Sequence, residues 1–547
     1  MTETHNSMQL ALADVFRRLE TFRCVDGQST HHGSMDREFW CYRTTRGFSS
    51  APFQHAMSAY ALASTGGVGA TAARLSAIGE HLASYWLRAR NSNGSANEWF
   101  RNEQSYCATA MGLHAVTETA TAMRDRKIPK SMEQLLVSAV SSERWLRRRN
   151  NPLAMNQDVA SVSARWSLGS LLSDETMRDR ACRDFDRLVQ TAARIGHLSE
   201  SGGFDLGYSL LSIDLLVVAH LNGLAATEIL ASILCERLAG VVSRSGDLPF
   251  ALGSRGTRHQ FFGGVHYFAT TVKSAARLVS LLRSDHLTQQ GAQTGEYDDR
   301  YLATFAAAAL ARSVVYGESP ERRAENTAAP GESEAVSAAL RSASSPIFER
   351  HEVGDATVFC NRTLGSSLCY IDSAHRTIIN LGYSISTEDG NRACTLTSAI
   401  DIDGRASHEL VGPSGAMPLV RWEPMFRLLT ILSALPSVAR LVSWFARTKL
   451  ARPNRRLSGS FTREIQCSDI QLSVVDRLTL KKSSGLVRIA QLLSFPFHSP
   501  SAVAAQMAIP EASNPRVDIG RVGSGTVTIC WHIGSVDGVP SVVSDKP

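Results

Sequence analysis

Glu200-Ser201-Gly202-Gly203-Phe204-Asp205-Leu206-Gly207-Tyr208 and Gly253-Ser254-Arg255-Gly256-Thr257-Arg258-His259 are the stretches on which the reading of this chain turns. Each joins an irregular segment to an apolar, helix-like run. Gly202-Gly203 permits tight or positive-φ backbone. Asp205 stands where a helix beginning near 207 wants a cap. In a protein of helical hairpins, such joins are where a cleft gathers polar groups.

Working outward, the pattern from Met8 to about Tyr316 is helical, with apolar residues recurring at three- and four-residue spacing. The runs 8–22, 52–64, 69–89, 103–124, 131–149, 157–172, 175–194, 207–222, 224–242, 262–283 and 301–315 predict helices, rich in Ala and Leu. Short joins bearing Gly, Asn or Ser separate them. Stacked αα-hairpins follow. No strict repeat marks a TPR- or HEAT-type array. The positions of the polar joins favour an incomplete (α/α) toroid over residues 1–316.

Residues 317–346, rich in Glu, Ala, Ser and Pro, read as a linker. From 347 to 547 the texture changes. Ala356–Arg362, Ser367–Asp372, Ile465–Val475 and Gly525–Ile533 are β-branched and aromatic, and predict strands of an antiparallel β-sandwich. Residues 424–452 interrupt them with an apolar, basic, helical insertion broken at Pro436. It is either a helix pair packed on the protein or an interfacial membrane contact. In the second case Trp444 and Phe445 would enter lipid, with Arg440, Arg447, Lys449 and Arg452 on anionic head groups.

The chain of 547 residues is too long for one ordinary core. Its net charge of +6, from 57 basic and 51 acidic side chains, is mild and fits an anionic ligand. No RNA-binding signature, zinc-finger spacing or long basic run points to nucleic acid. The ten cysteines are scattered without a Cys-x-x-Cys pair and read as free thiols of a reducing compartment. The N-terminus has no basic region followed by an apolar core, so the expectation is a cytoplasmic or peripheral-membrane protein, periplasmic only if exported by another route. His31-His32 with Asp36 does not have a known zinc spacing. No dinucleotide or phosphate-binding loop is present. No metal and no cofactor are expected.

A helical N-terminal domain followed by a β-rich one, with these signatures, resembles the heparinase II/III-like polysaccharide lyases. The resemblance covers the architecture of most of the chain and is specific at four places. The first is Asp26–Trp40, where Trp40 either stacks on a sugar ring or plugs the toroid wall with Phe39. The second is Asn97–Ser105. The resemblance matches Asn102 to the asparagine that neutralises a uronate carboxylate, where charge builds as the α-proton leaves. The histidine that follows it in the lyases is absent here, with Glu103-Gln104 in its place. Asn102 would otherwise cap the helix. The third is the Glu200–Tyr208 join. Tyr208 would protonate the leaving glycosidic oxygen, and Glu200 and Asp205 would bind substrate; otherwise Asp205 caps and Tyr208 packs. The fourth is Gly253–His259. Arg255 and Arg258 would grip carboxylate or sulfate. His259, with an ordinary pKa near ~6.5, would take the C5 proton. His266, just inside the next helix, is a further substrate-binding candidate.

The resemblance thus implies β-elimination on an acidic, uronate-containing polysaccharide. Two alternatives stay open. One is an inverting glycoside hydrolase using two of Glu200, Asp205 and Glu103 about 6.5–9.5 Å apart. The other is a non-catalytic glycan-binding protein of bacterial exopolysaccharide assembly.

Overall fold

The computed structural model describes residues 3–36, 50–66, 70–98, 100–124, 130–317, 348–361, 366–387 and, beyond these, short stretches comprising the later strands and one helix. The helical part holds α1 (Glu3–Glu20), α2 (Met57–Gly66), α3 (Ala70–Arg88), α4 (Tyr106–Met123), α5 (Lys130–Leu146), α6 (Met155–Leu171) and α7 (Glu175–Ile195). It continues with α8 (Leu206–Leu221), α9 (Thr227–Ala239), α10 (Gly263–Phe268), α11 (Lys273–Leu281), α12 (His286–Thr294) and α13 (Ala307–Tyr316).

Caps set the boundaries. Ser105 caps α4 by accepting from Ala108 N, Asp174 caps α7 through Met177 N, and Asp205 caps α8 through Tyr208 N. α7 ends on Gly196 in the left-handed region. Its buried stripe, Met177, Ala181, Phe185, Leu188 and Ala192, is that of an outer helix. α4 and α8 are instead buried on almost every side.

The packing explains this difference. α2, α4, α6, α8, α10 and α13 touch in succession, and α13 returns to α2. They form the inner wall of a toroid. Behind them pack α3, α5, α7, α9, α11 and α1. The toroid is abbreviated at α10, only 6 residues long. Where α4 meets α3, a Cβ on Gly112 would lie 2.2 Å from the Trp86 ring, so only glycine allows that approach.

Several elements depart from their sequence patterns. The run 262–283 divides into α10 and α11 around a turn. The run 301–315 begins as a short turn, Asp299–Tyr301, passes through a π-helical segment, Leu302–Ala306, and only then becomes α13. Pro52 starts a 3-10 turn, Ala51–Ala56, ahead of α2. α12, His-Leu-Thr-Gln-Gln-Gly-Ala-Gln-Thr, is too polar to announce itself by periodicity.

The C-terminal part is antiparallel. Strands β1 (Glu349–Val353), β2 (Ala356–Asn361), β3 (Ser367–Ile371) and β4 (Thr377–Asn380) form one sheet in sequence order. A second has β5 (Tyr383–Thr387) beside β6 (Arg392–Cys394), with β11 (Val487–Gln491) and β12 (Asp518–Val522) beyond β5. The third contains β7 (Ile400–Ile402), β8 (Arg405–Glu409), β9 (Gly459–Cys467), β10 (Gln471–Leu480), β13 (Gly525–Gly534) and β14 (Ser541–Val543). The Ile465–Val475 run is thus shared between β9 and β10. The second and third sheets meet face to face at a buried knot. There Tyr383 Oη donates to Asp476 Oδ2 at 2.6 Å, and Arg463 holds both Asp476 oxygens at 2.6 and 2.7 Å. The Tyr383 and Phe461 rings pack beside it.

The first sheet docks on the toroid. Asn361 Nδ2 donates to Leu252 O at 2.7 Å and Arg350 Nη1 to Val242 O at 2.9 Å. Pro436 begins rather than breaks α14 (Pro436–Phe445), as suits a residue that lacks only an N–H the first turn does not use. Leu435 and Leu441 are exposed there. The rest of 424–452, apart from Leu432, lies outside the described residues, as do the Trp444 and Phe445 side chains and the linker 317–346 beyond Gly317. Among the described residues no helix is long and apolar enough to cross a membrane.

Candidate functional site

The two signatures that opened the sequence reading meet at one end of the toroid's inner wall. Asp205 is their clamp. Oδ1 accepts from Tyr208 N at 3.0 Å and from Thr257 Oγ1 at 2.5 Å, while Oδ2 accepts from Arg255 N at 2.9 Å. One carboxylate therefore caps α8 and fixes the 255–257 loop against it. Gly207 makes room: a Cβ there would sit 2.5 Å from Thr257 Oγ1 and 2.9 Å from His259 N. The loop then sends the Arg255 side chain back, where Nη1 donates to Glu200 Oε1 at 2.7 Å. The guanidinium also lies 5.1 Å from the Tyr208 ring centre, within cation–π range.

Tyr208 is buried, and its hydroxyl hydrogen-bonds to none of the described residues. Its ring stands edge-on to His259, with 5.2 Å between centroids. His259 is fully buried. It stacks on Phe261 and on Tyr301, and Nε2 hydrogen-bonds the Tyr301 hydroxyl. Its Nδ1 is buried with no hydrogen-bond partner.

Burial dominates the electrostatics. It pushes the Glu200 carboxyl up to about 8, against the attraction of Arg255 and with help from the nearby Asp205 charge. Asp205 is also raised by burial, but its three donors favour the carboxylate. Burial thus drives both acids toward the protonated form, Glu200 against the pull of the Arg255 guanidinium and Asp205 against its three donors. Burial opposes the Arg255 charge, and the neighbouring acids, where ionised, favour it. Burial raises the Tyr208 phenol as well, with Arg255 pulling the other way. Burial, reinforced by Arg255, keeps His259 neutral down to about 3.

Below this layer the toroid axis carries groups that sequence reading missed. Cys107 of α4 lies within the fields of two ion pairs, Glu98–Arg300 and Glu200–Arg255, at 2.7 Å each. Next come His55 and His114, around a space of about 20 Å³ also lined by Thr304 and Ala308. His114 Nε2 bonds Leu215 O at 2.9 Å, and neither His55 ring nitrogen has a partner. Burial lowers His55 to about 3 and His114 to about 4. Deepest, Arg312 grips Glu118 with two bonds of 2.7 and 2.6 Å and Asp214 at 2.5 Å, tying α13 to α4 and α8. The signal was present as helical spacing: Cys107, Met111, His114 and Glu118 on one element, Arg300, Thr304, Ala308 and Arg312 on another. Among the described residues no group of three or more His, Cys, Asp or Glu side chains is placed to hold a metal ion.

No family model and no curated protein matches the chain. Among solved structures it is similar to the chondroitin AC lyase of Streptomyces coelicolor A3, determined in complex with chondroitin sulphate. The identity is 10%, the TM-score is 0.45, and the match covers 90% of this chain and 69% of that one. This match does not single out the heparinase II/III-like family.

Of the residues singled out in sequence, Glu200, Asp205, Tyr208, Arg255 and His259 converge. The others divide. Asn102 has a left-handed backbone, with φ of 59°, in the turn before α4, and Ser105 rather than Asn102 caps that helix. Glu103 turns inward, and its Oε2 accepts from Glu98 N at 2.8 Å. Arg258 faces the junction with the β-sheets. His266 is buried in α10 and shares a 2.8 Å hydrogen bond with His286, so it belongs to the packing of α10 on α12. His259 is a wall residue rather than an open loop histidine, because the segment carrying it runs inside the toroid. Trp40 lies outside the described residues.

Proposed function

We propose that this protein is a polysaccharide lyase-like enzyme acting on an acidic, uronate-containing glycan at the Tyr208 end of the toroid. The supporting observation is the convergence of Tyr208, Arg255 and Glu200. A phenol that burial keeps protonated lies beside a guanidinium whose nearest acid burial pushes toward its neutral form, which leaves the positive charge to a substrate carboxylate. In β-elimination cleft water would take the C5 proton, a C4=C5 double bond would form and the C4–O bond would break. Arg255 would stabilise the charge that builds on the uronate carboxyl. Tyr208 would give its proton to the leaving oxygen. His259, with Nε2 taken by Tyr301 and Nδ1 sealed, would position the tyrosines rather than act as the base.

The hydrolase reading has less support. Glu200 has the raised pKa of a general acid, but Asp205 is engaged by three donors and Glu103 Oε2 is taken by the Glu98 N–H, which leaves neither well placed to activate water. The exposed Leu435, just before α14, and Leu441 on it favour a peripheral contact with lipid alongside the glycan role. The test is to incubate the protein with several uronate polymers and follow the unsaturated product in the ultraviolet. Tyr208→Phe keeps the ring and should lower turnover about 10²–10⁴-fold. Reducing sugar without ultraviolet absorbance would move the protein to the hydrolases. Binding without either product would leave a non-catalytic glycan-binding protein.

A further inference from the structure

The irregular segment 257–262 serves two faces, as its contacts show. Thr257, His259 and Phe261 face the Tyr208 cluster, through the bond to Asp205 and the ring contacts already described. Arg258, Gln260 and Phe262 take the opposite face. There they line a cavity of about 280 Å³ between the toroid and the β3–β4 hairpin.

The cavity is held open by a fixed frame. Asp247 accepts from Arg283 Nη1 at 3.2 Å on the toroid side and from His375 Nδ1 at 2.7 Å on the hairpin side. Within this frame the polar groups of the alternating segment are unspent. Arg255, Arg300 and Arg312 each meet a carboxylate. Arg258, half-buried, contacts none and has no hydrogen bond among the described residues, and the Glu296 charge reaches it only through space. Gln260 Oε1 is buried, also without a partner. An arginine cannot escape such a position by shedding its proton, and a buried acceptor left unbonded is costly. Both costs vanish if a ligand brings an anion to Arg258 and a hydroxyl to Gln260. Leu248, Phe262 and Ile371 supply an apolar wall for a ring. The other cations on the lining, Arg283 and Arg376, pair with Asp247, Asp285 and Asp372, so Arg258 is the arginine of the lining that no described carboxylate contacts.

We infer that this junction cavity is a second binding site, separate from the Tyr208 cluster, for a monosaccharide-sized ligand. Its oxyanion pairs with Arg258, and one of its hydroxyls donates to Gln260 Oε1. The volume suits one acidic sugar or sugar phosphate, and bare inorganic anions satisfy only the arginine.

The full-length protein is titrated by calorimetry with D-glucuronate, D-glucose 6-phosphate, inorganic sulfate and neutral D-glucose. At least one charged sugar should bind, at least about tenfold more tightly than sulfate or glucose. Which one binds separates the carboxylate from the phosphate source. Arg258→Met should weaken that binding about 10- to 100-fold, the usual range for a charge-assisted contact. Gln260→Leu removes the unbonded acceptor, so it should fold at least as stably as the parent and still weaken binding of the sugar while sparing sulfate. This second variant decides the matter if Arg258→Met does not fold. Tyr208→Phe should bind as the parent does, whatever its turnover, which keeps failure of this site distinct from failure of the lyase reading. The inference is overturned if the parent binds neither charged sugar, if glucose binds as well as they do, if both junction variants bind like the parent, or if Tyr208→Phe abolishes binding.

Discussion

Replacing Glu200 with glutamine exchanges a buried carboxyl for an amide of the same shape, one that can still accept from Arg255 through its Oε1. The outcome turns on which form Glu200 takes in the fold. Burial raises it from 4.5 to about 8. A group raised on folding binds its proton more tightly in the folded than in the unfolded chain. Its contribution is complete below about pH 4.5 and is lost as the pH climbs through about 8. At about 1.4 kcal/mol per pH unit the whole effect is bounded near 5 kcal/mol, with about 2–3 kcal/mol falling between pH 6 and pH 9. Urea unfolding of the parent and Glu200→Gln at several pH values between about 4.5 and 9 isolates it, because all other titrating groups cancel in the difference. The variant should match the parent within about 1 kcal/mol near pH 4.5, exceed it by about 2 kcal/mol at pH 6 and by about 4–5 kcal/mol at pH 9. Parallel curves, with the variant some 3–5 kcal/mol less stable throughout, would mean an ionised Glu200–Arg255 bridge, and the reasoning would fail.

Three other outcomes follow from the packing. Arg312→Met leaves Glu118 and Asp214 without their shared cation and should cost about 3–5 kcal/mol in urea unfolding, part of it recovered by adding Glu118→Gln; a loss under about 1 kcal/mol would show that the triad is not what joins the inner helices. Gly207→Ala should improve helix propensity yet destabilise by about 1–3 kcal/mol, since the new methyl meets the Thr257 and His259 backbone; a stabilised variant would show that the segment yields. Leu435→Ser with Leu441→Ser should release the protein from anionic vesicles without changing its unfolding midpoint, whereas a lowered midpoint with unchanged vesicle binding would make α14 a packing helix.

The toroid was legible because helices with one buried stripe, such as α7, and helices buried all round, such as α8, both write themselves in apolar spacing. The change to strands was legible from β-branched texture. What escaped was the pairing of elements. The Glu200 and Gly253 signatures could be suspected of meeting, but nothing in either shows that Asp205 would bond three groups across them. His259 was misplaced because glycines on its N-terminal side suggest an exposed loop, whereas Thr257, His259 and Phe261 form a buried alternation too short to stand out. His266 was ambiguous by position alone and was settled by His286, twenty residues on. The Arg312 triad escaped because three charged residues in three apolar helices look like exposed positions until the ring closes around them.

The π-helical segment at Leu302–Ala306 sets the phase between the two ends of the channel. Arg300 serves the mouth, through Glu98, and Arg312 serves the floor, through Glu118 and Asp214. They are joined by steps of four residues, and in a regular helix of 3.6 residues per turn each such step drifts by about 40°. Over three steps the two guanidinium groups would point about 120° apart, one of them out of the channel. A wider turn between them takes up that drift, so that Arg300, Thr304, Ala308 and Arg312 keep one bearing. One residue's worth of slack thus lets a single rod of backbone serve both charged layers. Removing a residue from 302–306 would rotate one layer against the other while leaving every contacting side chain intact.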